Sequence, residues 1–180
     1  MKDVRWLMTY TGRIYWPFSP NAHDVRIEDI AHGLSNLCRY GGQCRLFYSV
    51  AEHSVLMSYM VPQAQALEAL LHDGSEAYCG DVILPIKRSL EEYTEMERLN
   101  MQAVRKAFAL DPEEHPNVSR ADRQIVSTEY ETLFGPIPEY LDHAFPYVKD
   151  PFVKLELWCP TIAEHKFLQR YHELVKVRVS

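Results

Sequence analysis

Gln65-Ala-Leu-Glu-Ala-Leu-Leu-His72-Asp73-Gly-Ser-Glu76 is the stretch on which the reading of this chain turns. An apolar helical run ends in two side chains that are costly to bury without a partner. A divalent metal suits both, since neutral imidazole and carboxylate together match Zn, Mn, Fe or Co. Glu76 follows His72 by four residues and Asp73 by three, so on a helix it shares their face. A buried His–Asp hydrogen bond is the competing reading, and the doublet alone does not separate the two.

Two other segments supply matching donors. Ser49-Val-Ala-Glu-His53-Ser-Val-Leu-Met57 places a histidine one turn into a predicted helix. Arg120-Ala-Asp122-Arg-Gln-Ile-Val-Ser-Thr-Glu129 places an aspartate early in another. The helical period predicts helices from Ile27 to Arg39, from about Val50 to Met60, and from about Gln63 to Tyr78 with the doublet inside it. A long fourth helix is predicted from Pro85 to about Phe108, with Leu90, Tyr93, Leu99 and Val104 as core contacts. Ser119 is read as the cap of a fifth helix to about Phe134. Thr161 and Glu164 form a capping box that opens a last helix to about Val175. Alternation around Gly12 in residues 8–16 predicts a small hairpin or extended lead-in. Gly41-Gly42, Pro62 and Gly80 act as breakers, and Gly135-Pro-Ile-Pro138 and Phe145-Pro146 predict irregular connections. The expected fold class is all-α, a single helical bundle over residues 1–180.

Bulk properties narrow the function. A chain of 180 residues with 47% hydrophobic content can bury a substantial core. A net charge of −6 argues against a nucleic-acid binder, which needs a basic face. Cys38, Cys44, Cys79 and Cys159 sit at no zinc-finger spacing and read as reduced thiols. No apolar run reaches membrane-spanning length and the start carries no signal-like segment, so a cytoplasmic location without a membrane partner is expected.

One histidine, then His-Asp, then a distant aspartate is also the ligand order of the HD-domain metal-dependent phosphohydrolases, and the chain resembles that family. The resemblance is close at Val50-Ala-Glu-His-Ser54, at Leu70-Leu-His-Asp-Gly-Ser-Glu-Ala-Tyr78 and at Gly80-Asp-Val-Ile-Leu-Pro-Ile-Lys87. It runs from about Thr9 to Glu131 and is similar to bacterial 5'-deoxynucleotidases, small prophage HD hydrolases and compact phage dATP triphosphohydrolases. It implies an HD-domain bundle in which His53, His72, Asp73 and Asp122 bind one divalent transition metal (Zn, Mn, Co or Fe), with Mg a further candidate alongside substrate phosphates. The activity implied is attack of a metal-activated water on the phosphorus of a deoxynucleotide. Cleavage of a 5'-monophosphate and release of triphosphate from a dNTP such as dATP remain open alternatives. So do a nucleotide-sensing HD module with little turnover and an HD phosphodiesterase on another phosphorylated small molecule.

The resemblance also assigns supporting roles. Glu76 orients the water or shuttles a proton, with a brace to a metal-bound histidine as the alternative. Asp81 reads the deoxyribose, or else caps a turn. Arg39 and Lys87 match cations on substrate phosphate, although a solvated lysine is a serious competitor at Lys87. Pro85 belongs to the same substrate segment. Tyr40 stacks on a base or packs in the core. Glu129, two turns after Asp122, braces a neighbouring histidine or arginine. His32 reads as a satisfied core histidine or one that supports a metal ligand, rather than as a fifth ligand, and His23, His115, His143, His165 and His172 have no partner at ligand spacing. Small Gly41 and Gly42 do not imply strict base selection. Small HD hydrolases are often dimers or higher, so a homo-oligomer is expected; the N-terminal Tyr and Trp residues suit an interface or a core.

Overall fold

The computed structural model describes residues 5–140 and 150–179. Gly12, at a left-handed φ of 77°, turns the chain back on itself. Strand β1 (Leu7–Met8) thereby pairs antiparallel with β2 (Ile14–Tyr15), Leu7 opposite Tyr15. Tyr15 points inward and its hydroxyl donates to Asn100 Oδ1 at 2.7 Å. Trp6, Tyr10 and Trp16 remain exposed, so the core reading holds for Tyr15 and fails for these three.

The fold is all-α beyond this hairpin. Helix α1 (Ile27–Asn36) is followed by α2 (Val50–Met60), α3 (Ala66–Leu71), α4 (Glu76–Cys79), α5 (Leu84–Lys87), α6 (Glu91–Ala107), α7 (Pro116–Phe134) and α8 (Pro160–Val179). Ser49 caps α2, its hydroxyl accepting from the Glu52 N–H at 3.0 Å. Helix α2 is buried along Val50–Val55 and at Met57 and Ser58, and only its last turn reaches the surface, at Tyr59. Ile30, Leu34, Val55, Leu70, Leu71 and Phe167 knit α1, α2, α3 and α8 into the main core. Met57, Ala69, Val118 and Ile125 join α2 and α3 to α7. No helix among the described residues is long and apolar enough to cross a membrane.

Five predicted boundaries need correction, and the first four bear on the site. First, α1 stops at Asn36 rather than Arg39. Leu37 turns extended, and the chain then bridges back to the segment before α2, Cys38 opposite Ser49. The Arg39 N–H donates to Tyr48 O at 2.9 Å, a long-range bond that outcompetes another helical turn. Second, the helix expected from Gln63 to Tyr78 is broken at the doublet. Gly74, Glu76 and Tyr78 donate to carbonyls three residues back, at 2.9 Å each. That is a tightened turn, in which residues three apart eclipse. A Cβ on Gly74 would lie 3.1 Å from Val104 Cγ1, so the turn is packed against α6.

Third, the long helix from Pro85 to Phe108 divides. The chain leaves α5 through bonds to carbonyls three residues back, and Leu90, at φ −118° and ψ 78°, is the non-helical residue before α6. Leu90 is exposed and is no core contact, Tyr93 and Leu99 are half-buried, and Val104 is buried. Fourth, α7 begins at Pro116, because Pro suits the first helical position and the His115 ring accepts from the Asn117 N–H. Ser119 lies inside the helix and donates to Glu114 instead of capping. Helix α8 runs to Val179, past the expected Val175, and Glu164 turns to His32 at 3.0 Å. His143 and the Phe145-Pro146 connection lie outside the described residues.

Two buried carboxylates fix how these helices meet. Glu52 Oε1 accepts from the N–H groups of Glu156 at 2.7 Å and Leu157 at 2.9 Å, and Oε2 from Trp158 at 2.7 Å, pinning the lead-in to α8 against α2. Glu68 Oε1 accepts two 3.1 Å bonds from Arg105 and one of 2.8 Å from the His115 N–H. That cluster anchors the start of α7 on α3, and with it the placement of Asp122.

Candidate metal centre

Helix α2 delivers His53 from one side, the turn after α3 delivers His72 and Asp73, and α7 delivers Asp122. His53 Nε2 and His72 Nε2 face each other at 3.2 Å. Asp122 Oδ1 stands 3.3 Å from His53 Nε2. Asp73 Oδ2 is 3.1 Å from His72 Nε2 and 3.7 Å from His53 Nε2. The donor atoms of His53, His72 and Asp122 all lie within 4.8 Å of one another, a group that could hold a metal ion.

The outer nitrogens decide the chemistry of the inner ones. His72 Nδ1 lies 2.8 Å from Ala69 O, a carbonyl that can only accept, so Nδ1 carries the hydrogen. His53 Nδ1 lies 2.6 Å from Glu129 Oε1 and donates to that carboxylate. In the neutral rings both Nε2 atoms therefore present lone pairs to the same point, beside two carboxylates. Such an array repels itself unless a cation lies between its members. Metal–ligand bonds of ~2.0–2.2 Å at ordinary coordination angles place neighbouring donors ~3–3.5 Å apart. The donor set and spacing fit a divalent ion. The protonated alternative is felt at His72: burial lowers its basicity, but Asp73 and then Asp122 more than offset that and lift it to about 9.

Glu129 is the hub behind the ligands. Besides His53 it accepts from Tyr40 at 2.5 Å and Tyr48 at 2.9 Å, and it pairs with Arg39 at 3.4 Å. Burial raises its carboxyl, yet Arg39, His53 and these hydrogen bonds more than compensate and hold it well below the usual range. Arg39 also reaches Asp73 Oδ2 at 3.4 Å. One guanidinium thus touches a candidate ligand and the brace of another. The placement of Arg39 corrects the sequence reading: it stands beyond α1 in a bridged segment, with its side chain mostly buried.

A cavity of about 420 Å³ opens beside the donors, lined by Arg39, Tyr40, Asp73, Glu76, Asp81, Pro85, Lys87 and Asp122. Every substrate contact expected from the sequence therefore meets two of the metal donors and Glu76 in one space. Glu76 eclipses Asp73 across the tightened turn, and its Oε2 is buried with no hydrogen-bond partner among the described residues. Burial first, then the charges of Asp73 and Asp81, push its carboxyl well up. Burial likewise raises Asp81. Lys87 reaches the cavity but is paired with Glu97 of α6, a partner the sequence did not suggest. Tyr40 lines the wall edge-on to Phe134, at 5.3 Å and 88°, with its hydroxyl committed to Glu129. Sequence reasoning missed Tyr48 and Glu97, whose roles arise from contacts far along the chain. The cleft of about 570 Å³ beside Phe18, Leu99 and Lys106 is larger but lined by no imidazole or carboxylate. His32 is stacked on Tyr10, with ring centroids 3.9 Å apart.

No family model matches the chain. YfdR of Escherichia coli strain K12 is 35% identical over 181 residues, covering 97% of this chain and 98% of that protein. The chain belongs to the YfdR family. RCAP_rcc00048 of Rhodobacter capsulatus is 31% identical over 188 residues, covering 95% of this chain and 96% of that protein. Both relatives are described as uncharacterized proteins, so the functional argument rests on the site.

Proposed function

We propose that this chain is an HD-type, metal-dependent phosphohydrolase acting on deoxynucleotides. The observation that carries the reading is the convergence of two imidazoles of fixed tautomer with two carboxylates, Asp73 and Asp122, that line a cavity together with Arg39, Lys87 and Glu76. His53, His72, Asp73 and Asp122 would hold the ion, and the cavity leaves room beside them for a phosphate. When bound, the metal supplies Lewis-acid polarisation of the phosphoryl group and a more acidic water.

The remaining work falls to the chain's own side chains. Arg39 offers a planar fork to phosphate oxygens and is aimed by its two carboxylate partners. Glu76, its carboxyl raised by burial and by its acidic neighbours, can take a proton on Oε2 and exchange it with the attacking water or the leaving oxygen. Asp81 lies further round the wall, where it can accept from a sugar hydroxyl. Phosphoryl transfer depends on positioning and charge neutralisation, which these groups offer.

Purified protein loaded with Mn or Co and given a panel of deoxynucleoside mono- and triphosphates tests the reading. Release of phosphate or of inorganic triphosphate is expected, and the product separates the two subclasses. Absence of turnover on every member, with metal bound, refutes the activity. Elemental analysis of Asp73→Ala is expected to show loss of metal, and full stoichiometry in that variant removes Asp73 from the ligand set.

A further inference from the structure

Cys38 and Cys44 bring their sulfurs to 3.6 Å of each other. Both are half-buried free thiols. A disulfide holds its sulfurs ~2.05 Å apart, so bonding needs an approach of roughly 1.5 Å. The segment between them carries Arg39 and Tyr40, which hold Glu129, and then Gly41 and Gly42, at φ 60° and 72°. One end is fixed, because Cys38 bridges to Ser49, the cap of the helix that carries His53. The other end is a loop. There the Cys44 thiol donates to Arg39 O at 3.8 Å, and two glycines supply the backbone freedom that an approach requires.

We propose that Cys38 and Cys44 form a redox-sensitive dithiol that controls the Arg39-Tyr40 segment. The oxidant is a peroxide. Hydrogen peroxide converts the Cys38 thiol to a sulfenic acid and leaves as water. The Cys44 sulfur then attacks the Cys38 sulfur; the S–O bond breaks, the S–S bond forms, and the Cys44 proton leaves with the oxygen as a second water. Two sulfurs are oxidised by one electron each and the peroxide takes both. The new bond removes the thiol hydrogen that Arg39 O accepted and draws Cys44 inward, so the peptide carrying Arg39 turns. Its guanidinium reaches Asp73 and Glu129 at 3.4 Å each, and a displacement of ~1 Å is enough to spoil an oriented grip on an anion. Weaker anion binding in the oxidised protein follows, a consequence that rests on the phosphate role proposed above.

The test treats the metal-loaded protein with hydrogen peroxide and compares it with protein kept in dithiothreitol. Peptide mapping is expected to find the Cys38–Cys44 link, reversible by dithiothreitol. Calorimetry with inorganic pyrophosphate is expected to show affinity reduced about fivefold or more on oxidation, and unaffected by peroxide in Cys38→Ser and Cys44→Ser. Hydrogen exchange at residues 39–48 reads the loop whatever the pocket binds, and faster or redistributed exchange is expected there. Thiols that stay reduced, or a link to Cys79 or Cys159, overturn the dithiol. A mapped link with unchanged exchange overturns its control of the loop. Reduced protein that binds no pyrophosphate counts against the phosphohydrolase reading, and hydrogen exchange then decides the dithiol by itself.

Discussion

The two ends of the site are built differently. At the deep end, His53, Arg39, Tyr40 and Tyr48 all converge on the buried carboxylate of Glu129, through contacts that bridge 76 to 90 positions along the chain. At the mouth, Glu76 and Lys87 ride on two four-residue helices, α4 and α5, and Asp81 lies on the irregular backbone that joins them. Each group at the deep end has several partners, so moving one costs several bonds. At the mouth Glu76 Oε2 is left unpaired and Lys87 is held by Glu97. A metal centre needs fixed donors, whereas proton transfer needs a group that is not already committed, and Glu76 Oε2 is such a group among the described residues.

Substitutions can break or sharpen this contrast. The largest effect is expected at the mouth: Glu76→Gln retains metal by elemental analysis and loses about 10²–10⁴ in kcat, because in the proposed reaction it removes the proton-transfer group and no ligand. Near-normal kcat would make Glu76 structural. At the deep end Arg39→Ala leaves Glu129 buried without its cation, and denaturant unfolding is expected to show a loss of about 3–5 kcal/mol. Arg39→Lys should recover part of the stability and little of the phosphate affinity, since a point charge does not replace a fork.

Glu129→Gln comes next, with metal affinity reduced about 10- to 100-fold by competition with a chelator. It also changes the acid limb of stability. The folded carboxyl lies below its unfolded value of about 4.3, so its contribution is present above that pH and is lost as the pH falls through it toward the folded value. Melting temperature against pH should therefore fall less steeply below about pH 4.3 in Glu129→Gln than in the unsubstituted protein. The smallest effect is expected for Lys87→Ala. Its charge is already shared with Glu97 in a half-buried pair, so little of it is free for a phosphate and KM should rise by under about fivefold. A larger rise for triphosphates than for monophosphates would place Lys87 along the phosphate tail.

Much of the fold was legible in the sequence because it rests on local rules. The α2 boundaries, the stop at Gly80 and the Gly12 hairpin all follow from residue types at fixed offsets. The errors fall where a distant contact overrides local preference. The helix through the doublet looked continuous, but Gly74 is packed against Val104 and Leu71 O, and the turn tightens. Likewise α1 lost its last turn to the bridge with Ser49, and α1 meets α4 only because Gly33 leaves no Cβ in the way of Ala77, 2.8 Å from where it would lie.

For the site, the sequence by itself determined the identities and order of the donors and the helical setting of His53 and Asp122. The His72-Asp73-Glu76 spacing is a local property, and so is the place of Asp122 two turns before Glu129. Only the tertiary structure decided that His53 and His72 face each other through Nε2, because the tautomers are set by Glu129 from another helix and by the Ala69 carbonyl. It also decided that Lys87 is paired with Glu97, that Tyr48 supports Glu129, and that Cys38 and Cys44 share a loop edge. Spacing along one helix fixes which residues share its face. Which face of another helix it meets depends on how the whole core packs, and local periodicity does not encode that.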